Sequence, residues 1–317
     1  MNSKRVGISF FLLVTLQLLV GIGMTVYYLL GGAGDIHITA NLILAQAMNI
    51  APVIFVILAG RKKGTPEKIF RDVLGFRPIK KSTALMTILF TVLIIPLSTL
   101  ANAISMLFVD NAVESIMGDV LDVPFVIMFF LMAVLAPFGE ELVFRGAFFR
   151  GFRKSGNIFG AIILSAVLFA LMHMNFNQAA YAVLLGIMMA LAAEATGSTT
   201  TSFIMHMIFN GQSVCLLYLS DRLMPEGMEE EMAAAALGSG EMAFVIAVYL
   251  FLSVACTAVA FCVLTWMAAN EGKQNFLRTV WASRKVRQER LRSVWLAAGM
   301  AIALAYMVFA AVAAALQ

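Results

Sequence analysis

Three charged residues stand in a stretch of otherwise apolar sequence, APFGEELVFRG. They are Glu140, Glu141 and Arg145. In a helix, residues four apart share a face, whereas adjacent residues point about 100° apart. We therefore expect Glu141 to pair with Arg145, and Glu140 to have no partner on its own helix. An unpaired carboxylate in apolar surroundings is a candidate general base; the alternative is that both glutamates only hold helices together.

Two further apolar stretches carry imidazoles and an amide. LFALMHM contains Phe169 and His173, and TTTSFIMHMIFNG contains His206 and Asn210. Because His206 and Asn210 are four residues apart, the amide could orient the imidazole or donate a hydrogen bond to an oxyanion. Both histidines also have a structural reading as packed side chains, and an asparagine can bridge membrane helices.

Together, one carboxylate, two imidazoles and an amide on three neighbouring helices are typical of a hydrolytic site. At about 1.5 Å per residue, Glu140 lies about 15 Å, His206 about 10 Å and His173 about 24 Å from the same end of their helices. We expect helix tilt to bring the three side chains to a common depth.

Other nucleophiles explain these residues less well. Ser202 lies four residues before His206 and could form a dyad with it. Such a dyad leaves Glu140 and His173 without a role. Cys215 lies about 180° around the helix from His206 and is expected to face away from it.

Two readings from other functional classes stay open. Intramembrane glutamates and histidines also form proton relays in transporters, although the chain shows no convincing internal repeat. A non-catalytic membrane scaffold or a bacteriocin-immunity protein could retain the same residues for stability.

The composition indicates where such a site would lie. Hydrophobic residues make up 62% and charged residues 13% of the 317 residues, against about 45–50% and about 25% in soluble domains. The chain has too few polar residues to coat a soluble protein, so it predicts an all-α, polytopic integral membrane bundle. The net charge of only +4 argues against nucleic acid as a partner.

Nine apolar runs are long enough to cross a bilayer, which takes about 20 residues as a helix. They lie near 6–30, 39–60, 83–108, 124–150, 157–174, 178–195, 199–219, 242–268 and 294–316. They divide the chain into an N-terminal region (1–123), a core that carries the candidate site (124–219) and a C-terminal region (220–317).

The basic residues predict the orientation of these spans. Of the 22 Lys and Arg residues, 21 fall at the N-terminus and in the second, fourth and eighth connections. The positive-inside rule places that side in the cytoplasm, together with the N-terminus, and the acidic side and C-terminus outside. The basic segment 67–76 and the one before the last span are expected to lie as amphipathic helices on the anionic inner leaflet. The short connections favour a bacterial cytoplasmic membrane.

The ordered motifs resemble those of a known family. E-E-x-x-x-R at Glu140, Glu141 and Arg145, F-x-x-x-H ending at His173, and H-x-x-x-N from His206 are similar to the motifs of the CPBP family of intramembrane proteases. This family contains the type II CAAX prenyl endopeptidases and bacteriocin-processing enzymes. The resemblance covers about 124–219, roughly a third of the chain.

The resemblance implies a role for each motif residue. Glu140, helped by His173, would activate water, and His206 with Asn210 would stabilise the oxyanion. Glu141, Arg145 and Phe169 would support the structure. The resemblance does not decide whether a metal takes part: Glu140, His173 and His206 could bind Zn²⁺, and a metal-free glutamate mechanism uses the same residues. It implies a membrane-associated peptide or protein as the substrate.

Overall fold

The structure is a computed structural model that describes residues 2–30, 37–60, 68–109, 117–223, 239–286 and 293–315. Over these residues it is α-helical and contains no strand, so the predicted all-α membrane bundle is confirmed. The helices are α1 (Ser3–Leu29), α2 (Ile38–Ala59), α3 (Lys81–Ser105), α4 (Met117–Leu121), α5 (Phe125–Arg153), α6 (Ile158–Met172), α7 (Phe176–Thr196), α8 (Thr199–Leu223), α9 (Ser239–Asn270), α10 (Phe276–Ser283) and α11 (Val294–Ala315).

Eight of the described helices are long and apolar enough to cross a membrane, which makes the chain an integral membrane protein. The fifth predicted span, 157–174, is the exception. Helix α6 has only 15 residues and rises about 22 Å, less than the hydrocarbon core of about 30 Å. It ends at His173, and Asn175 then caps α7 by accepting a hydrogen bond from the backbone N–H of Gln178 at 2.7 Å. The prediction of nine full-length spans is therefore corrected to eight and a short one.

Helices α5 and α7 form the centre of the bundle. The most apolar window of α7 is 67% buried and that of α5 is 50% buried, whereas that of α9 is only 11% buried. Helix α5 packs against α2, α6 and α8, while α9 packs on α3 and α11 on α1. The predicted site residues lie on α5, α6 and α8, and thus on or directly beside the most enclosed helix pair.

Helix α5 has two stretches of wider, π-helical turns. They are Phe130–Leu135 and Leu142–Phe149, and they flank the α-helical turn that carries the two glutamates. Pro137 lacks a backbone N–H, which interrupts the regular hydrogen-bond ladder beside the first stretch. Stretches of this kind are frequent at functional sites. Their effect here is to re-aim side chains on the helix that carries both glutamates.

The segment that connects α2 to α3 enters the bundle. We call its described part, residues 68–80, the strap. Only Ile69–Val73 is helical, as a single π-helical turn, and Leu74 is fully buried against Gly146 of α5. The backbone of the strap is held by Thr199, whose hydroxyl donates to the Leu74 carbonyl at 2.6 Å and whose N–H donates to the Gly75 carbonyl at 2.9 Å.

The expectation of a flat amphipathic helix at 67–76 is therefore wrong for the described residues 68–76, because Leu74 is drawn into the core. Residue 67 lies outside the described residues, as do most of the acidic loop before α9 and residues 287–292. Helix α10 does have the predicted amphipathic pattern, with Phe276 and Val280 buried and Trp281 exposed.

Candidate active site

Glu141 and Arg145 form a buried ion pair on α5. Nη1 of Arg145 donates to Oε1 of Glu141 at 2.6 Å, and the two side chains are 1% and 0% exposed. The prediction from their four-residue spacing is confirmed. Because each group would be costly to bury alone, the pair is held in place by its own electrostatics.

His206 joins both glutamates. Its Nδ1 lies 3.0 Å from Oε1 of Glu141, and its Nε2 lies 3.7 Å from Oε2 of Glu140. A carboxylate can only accept, so Nδ1 donates its hydrogen to Glu141, and Nε2 is left facing Glu140. Glu141 therefore does more than pair with Arg145, since it also fixes the orientation of the imidazole. Glu140 has no partner on its own helix, as its position predicts.

Phe169 of α6 lies among three of these groups. Its ring stands edge-on to the imidazoles of His173 and His206, with centroids 5.0 and 5.7 Å away. The guanidinium carbon of Arg145 lies 4.4 Å above its face. A ring face attracts a cation, so Phe169 supplements the interaction of Arg145 with Glu141. Its predicted supporting role agrees with this position.

His173 lies at the C-terminal end of α6 and is half-buried. Its Nδ1 donates to the carbonyl of Phe169 at 2.9 Å, which leaves Nε2 as an acceptor. His173 is close enough to Glu140 and His206 to interact with both electrostatically. The short α6 thus brings to the site a residue that regular helix geometry places about 10 Å deeper than Glu140.

Asn210 is positioned one turn after His206 on α8. Its Nδ2 donates to the carbonyl of Met132, in the first π-helical stretch of α5, at 3.0 Å. A side-chain amide has two N–H donors, so this bond leaves one for another acceptor. Sequence reasoning did not anticipate the bond to Met132, because it joins α8 to α5 and depends on how the two helices pack.

The alternative nucleophiles are placed unfavourably. The hydroxyl of Ser202 donates back to the Thr199 carbonyl at 2.9 Å, while both ring nitrogens of His206 face glutamates. Cys215 is exposed, as its position on the helix predicts. Among the described residues neither side chain is paired with an imidazole, although Ser202 is close enough to Glu141 to hydrogen-bond with its carboxylate.

Polar residues of α1 and α2 were missed by the sequence reasoning. Gln46 is 8% exposed, and its Oε1 approaches Gly139, the residue before Glu140, so closely that a Cβ there would lie 2.7 Å away. Gln17 donates to Asn49 at 2.8 Å across the two helices. The signal was present as amides within apolar runs, but they are uncharged and therefore stand out less than Glu or His.

A cavity of about 1130 Å³ adjoins the site. It lies between α1, the start of α2, the end of α6 and α11, and His173 is among the residues that line it. Most of the other lining side chains are apolar, including Leu18, Ile22, Ile302 and Phe309. The candidate site therefore borders, at His173, a space that suits an apolar chain.

The side chains present do not form a metal site. No group of three or more His, Cys, Asp or Glu side chains in the described part of the chain is arranged to hold a metal ion. Zn²⁺ in a catalytic site takes three protein ligands at about 2.0–2.2 Å. Glu140, His173 and His206 are not grouped closely enough to meet this requirement. Nδ1 of each histidine donates to an oxygen, which leaves Nε2 as the free ring nitrogen. The chemistry below is therefore derived from the side chains alone.

One family model matches part of the chain. Residues 122–212 match the family described as Type II CAAX prenyl endopeptidase Rce1-like. The match covers less than a third of the 317 residues and includes the whole run from Glu140 to Asn210. It confirms the resemblance drawn from the motifs. No curated protein and no solved structure matches the chain.

Proposed function

We propose, from the premise that an integral membrane bundle carries a Rce1-like segment, that this chain is an intramembrane endopeptidase. It would hydrolyse a peptide bond in a membrane-associated peptide or protein. The observation that carries the proposal is the buried arrangement in which the two glutamates share one imidazole, with Glu140 against Nε2 and Glu141 against Nδ1 of His206. Adjacent carboxylates in different surroundings can serve different roles.

In the proposed reaction, Glu140 is the general base. A water molecule between Glu140 and the acceptor Nε2 of His173 gives a proton to Glu140 as its oxygen attacks the scissile carbonyl carbon. Glu140 then passes that proton to the departing amine as the carbon–nitrogen bond breaks. Each step moves one proton, and the carboxylate is regenerated.

His206 and Asn210 would stabilise the tetrahedral intermediate. Protonated Nε2 of His206 and the second N–H of Asn210 are the donors proposed for the oxyanion. Glu141 holds the imidazole in place, and Glu140 and Glu141 together balance the positive charges of Arg145 and protonated His206. This extends the role expected for Glu141 from support of the fold to orientation of a catalytic side chain, in the manner of the aspartate in serine-protease triads.

The cavity beside His173 supports an apolar, membrane-associated substrate. Its volume of about 1130 Å³ exceeds that of most small-ligand sites, and its lining is mostly apolar. An extended apolar segment could occupy it and present a peptide bond to Glu140. Processing of the CAAX type is one such reaction.

The test is a cleavage assay on the purified full chain in liposomes with a quenched, membrane-anchored peptide library. Glu140→Gln is expected to lower the rate by about 10²–10⁴-fold, the usual contribution of a general base. The matched control is Glu271→Gln, because Glu271 accepts hydrogen bonds from Lys80 and Thr83, away from the site. Equal cleavage by wild type and Glu140→Gln would overturn the assignment of Glu140.

A second set of measurements distinguishes the metal-free mechanism from a metal-dependent one, and the protease from a scaffold or a transporter. The metal-free mechanism proposed here predicts that the wild type still cleaves in the presence of a metal chelator. Loss of cleavage that added Zn²⁺ restores would contradict the metal-free mechanism. A folded wild-type protein that cleaves nothing would favour the scaffold or transporter reading.

A further inference from the structure

A second cavity, separate from the candidate active site, is lined by four cations. It has a volume of about 320 Å³, and its walls include Arg77 of the strap, Arg150 and Arg153 at the end of α5, and Lys273 after α9. Glu194 of α7 also lines it. Arg153 lies 13 residues beyond Glu140, about 20 Å along the helix. The cavity is therefore at the basic end of the bundle, away from the catalytic groups.

The carboxylate of Glu194 is already used. Nε and Nη2 of Arg153 donate to its two oxygens at 2.5 and 2.8 Å. This two-pronged bond neutralises both side chains and gives them a fixed geometry. Three cations, Arg77, Arg150 and Lys273, then face the cavity without a carboxylate of their own in it.

Neutral backbone carbonyls accept from all three cations, including Nε of Arg77, which donates to the Arg71 carbonyl at 3.3 Å. Nη2 of Arg150 donates to the Gly197 carbonyl at 2.8 Å, and Nζ of Lys273 donates to the backbone carbonyl of Glu194 at 2.5 Å. Carbonyls orient the side chains but do not cancel their charge. Each cation keeps further N–H donors, since a guanidinium has five and an ammonium three.

Lys273 lies in surroundings with an excess of positive charge. Burial lowers the pKa of its ammonium, and repulsion by Arg153, Arg150 and Arg77 lowers it further, against the attraction of Glu194. Lys273 lies outside the membrane-spanning helices. A bound anion would relieve this repulsion.

Two glycines allow the cations to converge. Gly75 and Gly197 have φ of +72° and +76°, which favours glycine. A Cβ at Gly75 would overlap the guanidinium of Arg150, and one at Gly197 would lie 3.1 Å from Nζ of Lys273. The backbone is thus shaped so that both side chains lie directly against it.

We propose that this cavity binds a phosphate group, supplied by the headgroup of an anionic membrane lipid or by free phosphate. Guanidinium groups match phosphate geometry, and Lys binds phosphate as a compact charge. A cavity of this size suits a single small group rather than an extended chain. Basic pockets between membrane helices are known to take lipid headgroups.

A bound phosphate would connect four parts of the fold: the strap, the end of α5, the turn between α7 and α8, and the segment after α9. Through the strap it would hold Phe76, whose ring lies 5.5 Å from that of Phe138 on α5, two residues before Glu140. The proposal goes beyond the protease function and does not depend on it, because binding is measured without a substrate.

The experiment measures the thermal unfolding midpoint of the full chain by tryptophan fluorescence in neutral detergent. One series adds inorganic phosphate at constant ionic strength, and the other adds short-chain phosphatidylglycerol against phosphatidylcholine. A ligand that binds only the folded protein raises the midpoint in proportion to the logarithm of its concentration. Lys273→Gln and Arg77→Gln are expected to weaken the apparent affinity at least tenfold.

The matched controls are Lys285→Gln and Arg278→Gln, which remove the same charges from exposed positions on or next to α10. They are expected to keep the affinity within twofold. Stabilisation by both ligands supports a general phosphate site, and stabilisation by phosphatidylglycerol alone supports the lipid headgroup. If neither ligand stabilises the wild type, or if the controls weaken binding as much as the pocket variants, the proposal is wrong.

Discussion

Glu140 and Glu141 are adjacent in the sequence but differ in their surroundings. Glu141 accepts from both Arg145 and His206, whereas Glu140 is within reach of a single ring nitrogen at 3.7 Å. Helix spacing alone was sufficient to predict which glutamate pairs with the arginine. It could not predict that one imidazole would touch both, because that contact joins α5 to α8 and depends on packing between helices.

This difference predicts that the same substitution lowers stability far more at Glu141 than at Glu140. Glu141→Gln leaves the guanidinium of Arg145 buried without a counter-charge, so we expect it to lower the free energy of unfolding by about 3–5 kcal/mol. Glu140→Gln is expected to change that free energy by less than about 1 kcal/mol, because Glu140 balances no partner on its helix. Unfolding in mixed detergent micelles measures both. A larger loss for Glu140→Gln would contradict the assigned roles.

At the level of the helices, apolar run length located every helix that carries the site. Two features of the fold could not be predicted from the length of the apolar runs. The π-helical stretches of α5 depend on local hydrogen bonding and on the bond from Asn210 to Met132, and the strap folds inward only because a pocket exists for Leu74 beside Gly146. Both depend on contacts between segments far apart in the sequence.

At Gly75 of the strap we expect an added methyl group to destabilise the fold. Gly75→Ala places a side chain at φ +72° and against the guanidinium of Arg150, so we expect a loss of about 1–3 kcal/mol in the free energy of unfolding. Gly21→Ala is the matched control, since a Cβ at Gly21 of α1 has no atom within 4 Å. Unfolding curves of the two variants compare them directly. Equal stability of both would show that the strap relaxes around the new side chain.

For the whole molecule, the sorting of charge predicts an orientation. One basic residue of the strap, two at the end of α5 and one after α9 do meet at one end of the bundle, where they line a single cavity: Arg77, Arg150, Arg153 and Lys273. Which side of the membrane this end faces stays a prediction from the positive-inside rule. Much of the acidic side lies outside the described residues.

Labelling with a membrane-impermeant maleimide tests this orientation. In a chain whose native cysteines are replaced, Lys285→Cys is expected to react only from the cytoplasmic side and Asp119→Cys only from outside. Both positions are exposed. Five helices that cross the membrane on this topology, α5 to α9 with α6 included, separate them, and an odd number of crossings places them on opposite sides. Reversed labelling would invert the topology, and labelling of both from one side would remove α6 from the count of crossings.

The brevity of α6 also has a consequence for the lipid around the protein. A helix that rises about 22 Å is shorter than the surrounding hydrocarbon by about 8 Å, and a bilayer adjusts to such a mismatch by thinning locally. The thinned patch would lie over the end of α6, where His173 borders the large cavity. Headgroups and their hydration would dip toward the imidazole there, so the reactant water would arrive through deformed lipid. We therefore expect the rate of the proposed hydrolysis to depend on the acyl-chain length of the surrounding lipid.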